Sequence, residues 1–196
     1  MGSGTQGVTV SSDNKYVYTA NATANSVSAV RLADKNVTTI PVGTNPYGIA
    51  ASPLGGHIYV ANTGSNTLSV IDGDPNSATF HTVIDTIGVN SPRGLSFTPD
   101  GTKLYAPSRT DNAVAVIDTA TRKIIKTVNI APGGENRQPM GVGRFIASVD
   151  PGEPAPEITT SPLDGMAFSG QQEGTNSVGQ TFSITNNGNK DLVLGT

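Results

Sequence analysis

The 196-residue sequence predicts an all-β fold, and three observations carry that prediction. Apolar residues alternate or cluster over short runs bounded by Gly, Pro, Asn and Asp, the pattern of strands and turns. Gly (23) and Pro (13) are frequent, while charged residues make up 14%, about half the usual share for a soluble domain. The third observation is an internal repeat. Tyr18, Tyr59 and Tyr105 lie 41 and 46 residues apart, and Asn25, Asn66 and Asn112 show the same two spacings. A period of about 40–50 residues with several short strands per unit is the signature of a β-propeller.

The units are read in order. The first runs through Gly7-Val-Thr-Val, Tyr16–Asn21 and Asn25–Val30. The second gives four strands, Gly48–Ala51, His57–Asn62, Thr67–Ile71 and Phe80–Ile87. The third runs through Gly94-Leu-Ser-Phe, Lys103–Ser108 and Asn112–Asp118. Asn at the second-to-third hairpin suits a left-handed backbone and bonds its own chain. Pro99-Asp100-Gly101 reads as a turn, with Gly placed where φ is positive. Thr119–Lys123, the one short helical candidate, is read as the third-to-fourth hairpin. Pro107 removes a ladder donor and predicts a bulge in the second strand of its unit. The triplet Pro-x-Gly recurs at Pro46-Tyr47-Gly48, Pro92-Arg93-Gly94 and Pro139-Met140-Gly141, each time entering an innermost strand.

The predicted organisation is a partial β-propeller of about three four-stranded blades over 1–147, a Pro-rich linker over 148–156 and an incomplete Ig-like β-sandwich over 157–196. Pro139–Ile146 reads as a lone innermost strand that closes a ring whose other blades lie upstream, which makes the chain a piece of a larger protein. A three-blade protomer that pairs into a six-blade ring is the alternative. In the last segment, Thr181–Thr185 alternates like a half-buried strand and Asn187-Gly188 signals a hairpin.

The second unit, Ile58-Tyr-Val-Ala-Asn62 followed by Asn66-Thr-Leu-Ser-Val-Ile-Asp72, resembles the YVTN family of propeller repeats, and the likeness runs over residues 7–146. The third unit departs from it, with Ala106-Pro107-Ser108 in place of Val-Ala-Asn. The stretch Phe182-Ser-Ile-Thr-Asn-Asn-Gly-Asn-Lys-Asp-Leu192 resembles Ig-like modules of the hydin and choice-of-anchor-D type. Together these resemblances imply a binding module outside the cell: extracellular, at the cell surface or periplasmic.

Composition excludes several chemistries. A net charge of −3 leaves no basic patch for nucleic acid. No apolar run reaches the ~18 residues of a membrane span, so no membrane insertion is expected. The absence of Cys removes disulfides, thiolate metal sites and thiol catalysis. No cofactor is indicated. His57 and His81 have no carboxylate or second His at ligand spacing. Asp72, Asp74 and Asn76 match the first half of a calcium loop, but Ser77 and Val83 occupy its Gly and Glu positions, and a hairpin turn is the competing reading. Tyr47, Arg93 and Met140 stand at the mouth of the channel that innermost strands line, where Arg93 suits an anionic ligand and Tyr47 a stacked one. Asn21 and Asn36 open N-glycosylation sequons.

The function expected from these residues is a non-catalytic binding or interaction module with a protein or glycan partner, and no enzyme. One alternative is a lactonase-like hydrolase propeller whose catalytic groups lie on other blades. A second is a structural surface array that self-associates through open propeller edges.

Overall fold

The computed structural model describes residues 2–131, 138 and 139, and two short strands further on. It is all-β, with no helix among the described residues. The chain divides into two compact units, Met1–Ala147 and Ser148–Thr196.

The first unit contains three four-stranded antiparallel sheets, each wound in sequence order. Blade 1 is β1 (Thr5–Val10), β2 (Tyr16–Asn21), β3 (Ser26–Arg31) and β4 (Val37–Pro41). Blade 2 is β5 (Pro46–Ala51), β6 (His57–Asn62), β7 (Thr67–Asp72) and β8 (Val83–Gly88). Blade 3 is β9 (Ser96–Phe97), β10 (Lys103–Ser108), β11 (Ala113–Asp118) and β12 (Lys123–Asn129). These are the blades of a β-propeller. In the second unit, β13 (Ile158–Ser161) pairs antiparallel with β14 (Ser183–Asn186), the latter overlapping the Thr181–Thr185 run expected to be a strand. The Pro-rich linker, the closing strand Pro139–Ile146 beyond its first residue, and the Asn187-Gly188 turn lie outside the described residues.

Side chains alternate across each strand, and both faces of the middle blade are buried. Ile58, Val60 and Ile71 of blade 2 point backward onto Tyr18, Val27 and Ala29 of blade 1. Tyr59, Leu68 and Val70 of blade 2 point forward onto Phe97, Leu104 and Ile117 of blade 3. Tyr59 meets Phe97 edge-on, with ring centroids 5.4 Å apart. Burying each Val, Leu or Ile is worth about 1.5–3 kcal/mol, so stacking blade on blade supplies the driving force that no single sheet has.

The repeated asparagines fasten one blade to the next. Asn25, Asn66 and Asn112 take φ of 50°, 56° and 49°, the left-handed region expected for them. The carbonyl of each holds the exit of its own blade's outer strand, accepting from the N–H of Val42, Val89 and Ile130 at 3.1, 3.0 and 2.9 Å. The side-chain Oδ1 of each holds the entry to the following blade. It accepts from the N–H of Asn45, Ser91 and Gln138 at 2.9, 2.8 and 3.0 Å. Each donor immediately precedes the Pro of a Pro-x-Gly triplet and also has positive φ (52°, 44° and 34°).

A second set of contacts joins the blades nearer their outer rims. The third-to-fourth hairpins present Lys35, His81 and Arg122, again at positive φ (61°, 62° and 56°). His81 of blade 2 reaches back to blade 1, where its Nε2 shares a hydrogen bond with Tyr18 Oη at 3.1 Å and its ring stands edge-on to Tyr16. Arg122 of blade 3 reaches back to blade 2. Its Nη2 donates to His57 Nε2 at 3.0 Å and its Nη1 lies 3.7 Å from Asp85 Oδ2. A guanidinium can only donate, so His57 Nε2 carries no proton. Burial pushes both histidines below their ordinary value, and the Arg122 charge lowers His57 further.

Two local expectations are corrected. Strand β8 begins at Val83, not Phe80, because residues before it close a turn around Asp72. Thr79 Oγ1 donates to Asp72 Oδ2 at 2.6 Å, the His81 N–H donates to the Asp72 carbonyl at 2.8 Å, and Phe80 stacks on His81. Pro107 causes no bulge. The β10–β11 register runs without a shift through Pro107↔Val114. The lapse is on the inner side, where β9 pairs only with Leu104 and Tyr105 before an isolated Pro92↔Ser108 bridge. The Gly101 turn and the hairpin at Thr119 form as expected.

Asn66→Gly keeps the backbone turn and removes the acceptor. A loss of about 0.5–1.5 kcal/mol in urea unfolding is expected. Asn66→Ala adds a left-handed penalty of about 1–2 kcal/mol and is expected to cost about twice as much. The histidines give a pH signature. A depressed folded pKa means that the unfolded chain takes up protons first, so stability falls as pH drops below the ordinary His value of 6.5 and is level above it. Urea midpoints measured from about pH 8 to about pH 5 are expected to show this acid limb, and it should flatten in the His57→Asn/His81→Asn variant.

Candidate functional site

The inner strands of the three blades run together along a cleft of about 520 Å³, lined by residues of β1, β5 and the stretch 93–98. The Pro-x-Gly triplets shape its mouth. In β5 the pairing register shifts between Pro46 and Ile49, so Tyr47 and Gly48 step out of the ladder. The same shift occurs in β1 between Thr5 and Val8, which frees Gln6 and Gly7. Blade 1 therefore carries a degenerate triplet, Thr5-Gln6-Gly7, that the proline signal misses. The alignment of Gly7 with Gly48 and Gly94 puts Gln6 at the position of Tyr47 and Arg93, but a search for Pro-x-Gly passes over it.

Glycine is required here by close approach. A Cβ on Gly7 would collide with the Tyr47 carbonyl of the next blade, and one on Gly48 with the Arg93 carbonyl. Adjacent inner strands thus touch backbone to backbone at the residue that faces the mouth. The asparagine contacts fix that residue along the chain. Asn25 holds Asn45, two residues before Tyr47, and Asn66 holds Ser91, two residues before Arg93. Thr63 adds a bond from its Oγ1 to the Pro92 carbonyl at 2.6 Å.

Tyr47 and Arg93 are both half-buried and meet across the blade junction, with Arg93 Cζ 4.6 Å from the Tyr47 ring centroid. A cation over an aromatic face is worth about 0.5–2 kcal/mol. Arg93 Nε is buried without a hydrogen-bond partner among the described residues. An unpaired guanidinium donor in a cleft is suited to an anion or to an oxygen that gains negative charge. Met140, the third expected mouth residue, lies outside the described residues. No His, Asp or Glu lines the cleft among the described residues.

The other candidates lie elsewhere. Asp72 ends β7 and Asp74 and Asn76 follow in the loop to β8, and the two carboxylates are turned into that loop. Asp72 Oδ1 accepts from the Asp74 N–H at 2.9 Å, and Asp74 Oδ1 from the Asn76 N–H at 2.9 Å. Burial works against the Asp72 charge, but hydrogen bonds from Ser77, Thr79 and the Asp74 N–H outweigh it and hold its carboxyl below the usual range. No group of three His, Cys, Asp or Glu placed to hold a metal occurs among the described residues. The sequon residue Asn21 ends β2. It is fully buried, and its Nδ2, the atom a glycan would occupy, donates to Ser28 Oγ at 2.9 Å and Ser26 Oγ at 3.3 Å. Asn36 is exposed in the β3–β4 hairpin, where its Nδ2 donates to Asp34 Oδ2 at 2.7 Å.

Comparison with known proteins places this geometry in context. No curated protein matches the chain. Among solved structures, hydrazine synthase of Kuenenia stuttgartiensis is 28% identical, with a TM-score of 0.56 over 63% of this chain and 35% of that one. A putative 6-phosphogluconolactonase from Bacteroides fragilis is 24% identical, with a TM-score of 0.57 over 66% and 40%. A functionally unknown protein from Desulfotomaculum acetoxidans is 20% identical, with a TM-score of 0.55 over 64% and 42%. The chain therefore spans only 35–42% of the length of these structures, and at the two lower identities the likeness concerns the fold alone.

One family model, described as "Lactonase, 7-bladed beta-propeller", matches residues 2–97 and again 48–138. This overturns the expectation that the chain is no enzyme. That expectation rested on the lack of an acid–base constellation in three blades, whereas the matched family counts seven. With its matches running from residue 2 to residue 138, the chain belongs to the lactonase, 7-bladed β-propeller family.

Proposed function

We propose that the chain supplies the substrate-holding part of a hydrolase propeller that opens a lactone ring. In this reading the ring lies in the inner-strand cleft between Arg93 and Tyr47. Water adds to the lactone carbonyl carbon, the ring C–O bond breaks, and the released alkoxide takes up a proton to give a hydroxy acid. Charge develops on the carbonyl oxygen in the first step and remains as a carboxylate in the product. Arg93 serves both stages, because a guanidinium donates to an oxyanion and to a carboxylate with the same planar fork. Tyr47 holds the guanidinium from one side and gives the ring an apolar wall.

The observation that carries this reading is the buried, unpartnered Arg93 Nε at a cleft in a chain of the lactonase family. Arg93 has no acid or base beside it in the cleft among the described residues, so the reading assigns it to binding and charge stabilisation. The general base is assigned to residues beyond those described.

Titrating the chain with gluconate, a hydroxy acid of the product class, tests this by calorimetry. Binding is expected, and Arg93→Met is expected to weaken it at least about tenfold, since a hydrogen bond to a charged group is worth about 1.5–3 kcal/mol. Tyr47→Leu is expected to weaken it less. Absence of binding, or equal affinity in Arg93→Met, would overturn the assignment.

A further inference from the structure

Arg93 is carried on a stretch of inner strand that its own sheet supports poorly. In blades 1 and 2 the ladder resumes at Val8 and Ile49, directly after the glycine of the triplet. In blade 3 it resumes only at Ser96. Arg93, Gly94 and Leu95 therefore follow the isolated Pro92↔Ser108 bridge without ladder partners. Two sequence changes accompany this. Pro107 has no N–H to give the inner strand, and Ser108 stands where Asn21 and Asn62 end the second strands of the other blades. An arginine on such a segment needs other anchors to stay over the Tyr47 ring.

Blade 2 supplies two of them, Asn66 Oδ1 on the Ser91 N–H and Thr63 Oγ1 on the Pro92 carbonyl. The third comes from blade 3 itself. Asp111 precedes Asn112 in the β10–β11 hairpin, and Asn90 Nδ2 donates to it at 3.1 Å from each carboxylate oxygen. Ser108 Oγ lies 2.6 Å from Asp111 Oδ2 and 2.9 Å from the Asn90 carbonyl. Ser108 is buried, so this clamp is rooted in the blade. The equivalent residue of blade 2 is Ser65, whose hydroxyl accepts from the Thr44 N–H at 3.1 Å. A carboxylate holds two donors at once, and each more strongly than a hydroxyl would. Asp111 does not line the cleft, and Arg93 forms no ion pair among the described residues. The clamp therefore fixes the segment without neutralising the guanidinium.

We infer that Asp111 is the positioning residue for Arg93: by gripping Asn90 and Ser108 it replaces the missing ladder and keeps the guanidinium over Tyr47 at the cleft. Its functional meaning rests on the assignment of Arg93 to substrate binding. Its structural content does not, because the place of Arg93 can be read without a ligand.

Nuclear magnetic resonance of the full chain gives that reading. Side-chain protons of an arginine stacked over a tyrosine ring are shifted upfield by the ring current, and Arg93→Met identifies the signals. Asp111→Ala is expected to return them toward the positions of a free arginine. It is also expected to weaken gluconate binding at least about threefold, part of the loss expected for Arg93→Met. Asn90→Ala should act in the same way, and the double variant no more strongly than either alone, as for two residues of one contact. Asp111→Asn keeps an acceptor for Asn90 and should restore part of the shift. Asp34→Ala removes a comparable carboxylate clamp from the β3–β4 hairpin of blade 1 and should leave the Arg93 signals unmoved. Circular dichroism checks that each variant is folded. Arg93 signals of Asp111→Ala that match wild type would overturn the inference, as would an equal loss of the shift in Asp34→Ala. If gluconate does not bind the wild type, the lactone reading falls, and the Arg93 signals still decide whether Asp111 sets its position.

Discussion

An asparagine that must adopt a left-handed backbone controls how this arc is assembled. Within one residue it caps two chain segments that lie remote from it in sequence: the strand leaving its own blade and the strand entering the next. The geometry demands a residue that tolerates positive φ and also carries a short acceptor. Glycine meets only the first demand, whereas asparagine meets both without adding a charge. Each sheet has only marginal stability alone, and the apolar faces that stabilise it are presented in the correct register only when the next inner strand starts at a fixed point. The hydrogen bond is modest in energy, but it converts non-directional apolar stacking into a defined rotation from blade to blade.

The functional cleft follows from the same constraint. Once the entry residue is pinned, the triplet after it leaves the ladder and its glycine lies against the carbonyl of the neighbouring inner strand. That contact pulls the inner strands together, so the residue between Pro and Gly faces the axis of the arc. Variation at this one position changes cleft chemistry without changing the scaffold. Gln6, Tyr47 and Arg93 occupy equivalent sites with different side chains, and only the Tyr47–Arg93 junction produces a cation over an aromatic face.

Much of the scaffold was readable because its requirements are local. The positive-φ asparagines, the strand spacing and the triplet all follow from what a single residue type can do. Features that failed to show depend on neighbours distant in sequence. Phe80 has the composition of a strand residue, yet its ring stacks on His81 in a turn closed by Asp72. Pro107 removes a donor only on the side where β9 has already left the ladder, which no local rule states. Asn21 opens a perfectly ordinary sequon, and only the pairing of β2 with β3 shows that its amide is buried against Ser28. At the cleft, the sequence indicated Tyr47 and Arg93 but not their contact, and Gln6 was hidden because Thr5 replaces the proline of its triplet.

The rim contacts add what the asparagines cannot, namely chemistry that differs from one junction to the next. The inner fastening is the same at each junction, so by itself it would accept any blade after any other. The outer one differs each time: an aromatic and imidazole pair at the first junction, a guanidinium between an imidazole and a carboxylate at the second. If blade 3 were placed after blade 1, Arg122 would meet Tyr16 and Tyr18 and lose its carboxylate. If blade 2 followed itself, His81 would meet His57 beside Asp85, and burial already disfavours the charge such a site would need. A half-buried cation that loses its partners forfeits their hydrogen bond and ion pair while still bearing part of its desolvation cost, so a mismatched neighbour is penalised. Order along the arc is set by the chain itself, which passes from the outer strand of one blade to the inner strand of the next within a few residues, while the polar side chains at the rim fix how each blade seats on the one before and the apolar faces supply the adhesion.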